Sequence, residues 1–194
     1  METLDNIPVV YAKGAKEWRK WLEKNQHTGK PAWLTIYHKK SARPSIGYAE
    51  AIEHALCFGW IDGKAMKRDE ESFYLFFKER NPGSTWSKVN RERAAKMSRA
   101  GLMMERGQAM IDLAKKKGTW DSLKDAENEV IPAELQKLFN KNKTAFKHFQ
   151  AFAPSSRRHI LAWILKAKRP ETRQRRMEQT ITLAAQNIKA NHPA

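Results

Sequence analysis

Hydrophobic and polar positions recur along this chain at two periods, and the order of those periods predicts its elements. At 15–26 (AKEWRKWLEKNQ) Trp18, Trp21 and Leu22 share one face of a helix, leaving Glu17, Arg19, Lys20, Glu23 and Lys24 for water. Gly29, Lys30 and Pro31 stop it. The run 32–39 (AWLTIYHK), rich in aromatic and β-branched residues, predicts a strand with Trp33, Thr35 and Tyr37 on one side and Leu34, Ile36 and His38 on the other. A second helix is expected at 48–58, where Ala49, Ile52, Ala55 and Leu56 form the stripe and Gly59 suits its C-terminal cap. Strands at 60–67 and 72–78 flank the charged stretch from Arg68 to Glu71, the pattern of a hairpin.

Past the break at Asn81, Pro82 and Gly83 only the helical period continues. A helix is expected at 87–99 with Ser84 or Ser87 as its cap, and another at 105–117. The weakly periodic stretch 118–130 reads as a linker. Helices then follow from Pro132 to about 140, at 143–152 through Phe146, Phe149 and Phe152, at 154–168, and from Pro170 to about 188 with Met177, Ile181, Ala184 and Ile188 as the stripe. The expected fold class is α+β: a unit at 1–100 with a small antiparallel three-stranded sheet and helices on one face, a helix and linker at 101–130, and an all-helical region at 131–194.

Charge changes the picture more than composition does. Thirty-seven Lys and Arg against 21 Asp and Glu leave a net charge of +16, a field that draws polyanions and anionic small ligands. The single cysteine, Cys57, has no internal disulfide partner. With no basic-then-apolar pattern at the start and no apolar run of the roughly 20 residues that cross a bilayer, a cytoplasmic location is expected. No metal or cofactor is expected either: the histidines at 27, 38, 54, 148, 159 and 192 are scattered and no phosphate-cradling glycine loop occurs.

Asp62, in the turn Trp60-Ile61-Asp62-Gly63, has two readings, a hydrogen-bond acceptor or general base, and a turn Asp bonded to its own amides or paired with Lys39 or Lys40. His54 and Cys57 are three apart on one helix, a spacing that suits either a nucleophile with its base or a buried inert thiol. Lys88, Arg91, Arg93, Lys96 and Arg99 outnumber Glu92 on their helix, and Arg157 and Arg158 occupy a first turn, where the helix dipole disfavours cations. Arg169, Arg173 and Arg176 share a face, either a cationic groove or a solvated surface. The aromatics Trp33, Tyr37, Trp60, Phe73, Phe77 and Trp86 are read as a stacking platform for bases or as core.

Three segments, CFGWIDG at 57–63, STWSKVNRER at 84–93 and RRHILAWILKAKRPETRQRRMEQT at 157–180, occur in an order that resembles the YdeI/OmpD-associated family, also called bacteriocin-protection proteins, over about 18–185. The matching positions are Lys39, Lys40, Ser41, Trp60, Asp62, Trp86, Ser87, Lys88, Asn90, Arg91, Arg157, Lys168, Pro170, Thr172, Arg173 and Arg176. The resemblance implies an association with an outer-membrane porin and with tolerance of cationic antimicrobial peptides or bacteriocins, and it brings no catalytic residues. The expectation is a cytoplasmic binding protein for an anionic ligand or nucleic acid. Lys39, Lys40, Ser41, Trp60, Asp62, Trp86, Lys88, Asn90, Arg91, Arg157, Arg173 and Arg176 are its candidate binding residues. The alternative is an enzyme for a small anionic substrate with Asp62 as base.

Overall fold

The computed structural model describes residues 2–191, so His192 and the two residues after it lie outside the described residues. The chain divides into two compact units, Met1–Gly118 and Thr119–Ala194. No helix among the described residues is long and apolar enough to cross a membrane.

In the first unit the chain order is β1 (Thr3–Leu4), β2 (Ile7–Tyr11), α1 (Ala15–Asn25), β3 (Ala32–Tyr37), α2 (Tyr48–Cys57), β4 (Trp60–Lys67), β5 (Ser72–Glu79), α3 (Lys88–Arg99) and α4 (Glu105–Lys116). The class is α+β, but the sheet has five strands where three were expected, in the order β1-β2-β3-β5-β4. It is also mixed, not antiparallel. Val9, Val10 and Tyr11 pair in parallel with Trp33, Leu34 and Thr35, and α1 supplies the crossover that a parallel neighbour requires. β1 and β2 escaped the sequence reading because one is two residues long and the other carries Pro8, which weakens any strand signal.

Alternation sorts this sheet into two sides. Leu34, Leu75 and Phe77 face the helices, where the Trp18 ring lies 5.1 Å from that of Phe77 and Trp21 stacks on Trp18 at 5.2 Å. On the other side Val9, Trp33 and Tyr74 are buried by strand residues, among them Ile7, Met66 and Phe76. α2 is the hub of the helical layer, with α1, α3 and α4 all packed on it. Its C-terminus is tight: Gly59 takes the left-handed conformation (φ +76°), and the Cys57 carbonyl accepts from the Met104 amide at 3.2 Å as the chain enters α4.

The second unit is helical: α5 (Lys124–Glu127), α6 (Ala133–Lys141), α7 (Lys143–Ala151), α8 (Pro154–Leu165) and α9 (Pro170–Ala185). Its core gathers Leu135, Phe139, Phe149, Ile160, Leu161 and Ile164, with the rings of Phe139 and Phe149 4.9 Å apart. Within the stretch read as a linker, Leu123 and Ala126 are buried and α5 packs on α8.

Candidate functional site

β4 opens with Trp60 fully buried, and Asp62, two residues on, points to the same side of the sheet, level with Phe77. The register shifts between Asp62 and Ala65, a bulge that holds Gly63 and Lys64. Space is tight there: a methyl group on Gly63 would lie 3.0 Å from Phe76 Cδ1, so the Phe76 ring would have to shift to admit one. The half-buried Asp62 carboxylate accepts from the hydroxyl of Tyr48, the first residue of α2, at 3.5 Å. Burial, and then the charge of Asp62, pushes the Tyr48 hydroxyl above its ordinary pKa, while Arg93 acts in the opposite direction. Arg93 itself comes from α3 and donates Nη1 to Asn90 Oδ1 at 3.3 Å.

Arg80 completes this corner. It follows the last residue of β5, its amide donates to the Gly59 carbonyl at 2.9 Å, and only 6% of it is exposed. Its guanidinium lies 3.9 Å from the centroid of the Trp86 ring and donates Nη2 to the Thr85 carbonyl, while the buried Nε has no hydrogen-bond partner. Among the described residues Arg80 makes no ion pair. Burial lowers its pKa to about 10 and Asp62 opposes that shift, so the group stays cationic at neutral pH. A buried charge is costly unless paired, and Arg80 is stabilised here by a ring face, one carbonyl and a carboxylate beyond ion-pair distance.

Trp60 is sealed in the core edge-on to Trp21 at 5.5 Å and offers no face to a ligand. Trp86 is 2% exposed and serves Arg80; its carbonyl accepts from Arg91 Nη1 at 2.9 Å. Ser87 caps α3 by accepting from the Asn90 amide, and Lys88 lies 4.0 Å from Glu92 one turn on. Lys39, Lys40 and Ser41 follow the far end of β3, whereas Asp62 is level, through Phe77, with Ala32 at its beginning. The strand between spans on the order of 17 Å, so neither lysine pairs with Asp62 and neither joins the corner. Ser41 is used within its own turn, its Oγ accepting from the Arg43 amide at 3.2 Å.

Cys57 and His54 do not form a nucleophilic pair. The Cys57 thiol donates to the Glu53 carbonyl, and burial pushes its pKa up. His54 Nδ1 instead meets Arg19 Nη1 at 3.2 Å, and burial followed by the Arg19 charge lowers its pKa. No group of three or more His, Cys, Asp or Glu residues among the described residues is placed to hold a metal.

In the second unit Arg157 is consumed by structure. Its Nε donates to Glu129 Oε2 at 2.7 Å and its Nη1 to the carbonyls of Gln150 and Phe152 at the end of α7, while Arg158 Nη1 reaches Glu129 Oε1 at 2.9 Å. Glu129 thus explains two arginines in the first turn of α8. Arg176 stacks over Trp163 at 4.8 Å and donates to its carbonyl. Arg173 lines a cleft of about 340 Å³ with Lys168 and Glu134, its Nη2 3.9 Å from the Glu134 carboxylate and its Nε buried without a partner.

Tyr48, Arg80 and Arg93 were not singled out as binding residues by sequence. Arg80 carried one legible signal, a guanidinium directly after an aromatic strand and before the Asn-Pro-Gly break. Residues 10–110 match the model of a family described as a domain of unknown function (DUF8412), and residues 129–187 match that of the family described as bacteriocin-protection, YdeI or OmpD-associated. The latter match is narrower than the resemblance over 18–185: of its three segments only the one at 157–180 lies inside. No curated protein and no solved structure matches the chain.

Proposed function

We propose that this chain, whose residues 129–187 match the bacteriocin-protection, YdeI or OmpD-associated family and whose residues 10–110 match a domain family of unknown function, is a binding protein for a small anionic ligand. The ligand seats at the Tyr48, Asp62, Arg80 and Arg93 corner of the first unit. The observation that carries this reading is the buried guanidinium of Arg80, which has no ion pair and retains an unpartnered Nε. A phosphate or carboxylate supplies the missing acceptor, Arg93 supplies a second cation at the mouth, and Asp62 and Tyr48 recognise a donor group on the same ligand. The compartment of this reading is the cytoplasm.

A net charge of +16 repels cationic peptides, so protection against bacteriocins acts indirectly in this reading, through the bound anion. The second reading, an enzyme with Asp62 as base, is favoured by the Tyr48 hydroxyl on that carboxylate and uses the same corner. Titration of the full chain with inorganic phosphate and with a short dicarboxylate at about 50 mM salt, followed by NMR of the arginine Nε–H groups, tests the proposal. Saturable shifts at Arg80 and Arg93, lost in Arg93→Met, are expected. Shifts that never saturate, or that survive the substitution unchanged, defeat it. Substrate turnover abolished by Asp62→Asn would select the enzymatic reading.

A further inference from the structure

A second surface, separate from the anion corner, lies on the side of the sheet that Trp18 does not cover. Register places Tyr11 level with Thr35 and sets Trp33 opposite Phe76, so Tyr11, Trp33, Tyr37 and Phe76 project from one side. Three cations lie over rings of this surface: Arg43 over Tyr37 at 5.4 Å, Lys64 over Trp33 at 5.5 Å and Arg68 over Tyr74 at 5.8 Å. Arg68 is paired with Asp69 at 3.2 Å, whereas Arg43 and Lys64 make no ion pair among the described residues. Lys64 stands in the β4 bulge, a device that re-aims a side chain. Trp33 and Tyr74 are buried and form the floor; Tyr11 is 43% exposed and Tyr37 and Phe76 are half-buried.

We infer that this sheet face binds single-stranded nucleic acid, with bases stacking on Tyr11, Tyr37 and Phe76 and phosphates held by Arg43 and Lys64. The argument rests on the interleaving. Rings alone suit any apolar partner and cations alone suit any polyanion, but a base stacks on a ring while its own phosphate needs a cation a few ångströms away. The rings of Tyr11 and Tyr37 are 5.7 Å apart at 82°, an edge-to-face pair that holds the exposed Tyr11 ring in place beside the cations. Duplex nucleic acid has its base faces buried in its own stack and meets only the cations. The surface therefore discriminates strand state and tolerates sequence.

The test uses the full chain and a fluorescent oligothymidylate of about twelve nucleotides, a length within the site sizes of sheet-based single-strand binders, with a duplex of equal length beside it. Anisotropy at about 50 and about 200 mM salt is expected to show tighter binding of the single strand and a steep loss with salt. Tyr11→Leu keeps the bulk of an exposed side chain but removes the ring, and is expected to weaken single-strand binding about tenfold. Arg43→Ala with Lys64→Ala is expected to do the same, while the charge-matched pair Lys16→Ala with Lys20→Ala on α1 costs less than about threefold. Equal affinity for duplex and single strand, equal losses in the two double variants, or no effect of Tyr11→Leu would each overturn the inference. So would binding to phosphatidylglycerol vesicles without binding to the oligonucleotide.

Discussion

Gly107 lies so close to the Cys57 carbonyl that a methyl group on its Cα would fall 2.2 Å from the oxygen. The contact lets α4 approach the end of α2 backbone to backbone. Alanine in a helix interior ordinarily gains about 1 kcal/mol over glycine, but here the clash reverses the sign. Gly107→Ala is expected to destabilise the chain by about 1–3 kcal/mol in urea unfolding, through displacement of α4. A neutral or stabilising result would mean that α4 does not sit as described.

Glu129 offers a second test, because it holds Arg157 and Arg158 from a left-handed backbone position (φ 59°). Glu129→Ala removes both ion pairs and leaves Arg157, about a quarter exposed, against carbonyls alone. A loss of about 2 kcal/mol is expected, below that of a fully buried pair because water reaches the site. Glu129→Gly loses the same pairs but suits the backbone, so it is expected to be milder by about 1 kcal/mol.

His54 makes the stability depend on pH in a predictable direction. Its pKa is lowered from 6.5 by burial first and Arg19 second, with Lys96 adding to the effect and Glu50 and Glu53 opposing it. Below the unfolded value the unfolded chain takes up a proton that the folded chain refuses. This contribution is complete above about pH 6.5 and falls away as the pH drops toward the depressed folded value. Urea midpoints measured from pH 5 to 7.5 are expected to decline on acidification, and His54→Gln, which keeps an acceptor for Arg19, is expected to flatten that decline.

The Cys57 thiol is buried and its pKa is raised, so its thiolate is scarce at neutral pH. Alkylation by iodoacetamide at pH 7.5 is expected to be slow in the native protein and fast in urea. Rapid native labelling would reopen the nucleophile reading.

How much of this was legible in the sequence depended on whether a feature is local. Periodicity located α1, α2 and α3 to within a residue or two, and Ser87 was among the caps expected, because stripe and cap are short-range properties. The parallel pairing of β2 with β3 was not legible: three residue pairs, each 24 residues apart in sequence, leave no local trace. The pairing of Asp62 with Lys39 or Lys40, one of the expectations for that carboxylate, failed for the same reason. Both sit beside conspicuous turns, but strand direction puts those turns at opposite ends of the sheet. Arg157 and Arg158 signalled correctly that something must offset the helix dipole, yet the partner, Glu129, lay in a stretch read as a linker.

The two outermost strands have a consequence for behaviour at high concentration. On one margin β1 contributes two residues ahead of the left-handed pair Asp5 and Asn6; on the other β4 is bent by its bulge and carries Lys64 and Lys67. Neither margin presents a long, straight, uncharged row of amides and carbonyls to a passing chain. A protein built this way resists growing by strand addition, even with an aromatic-rich sheet between those margins.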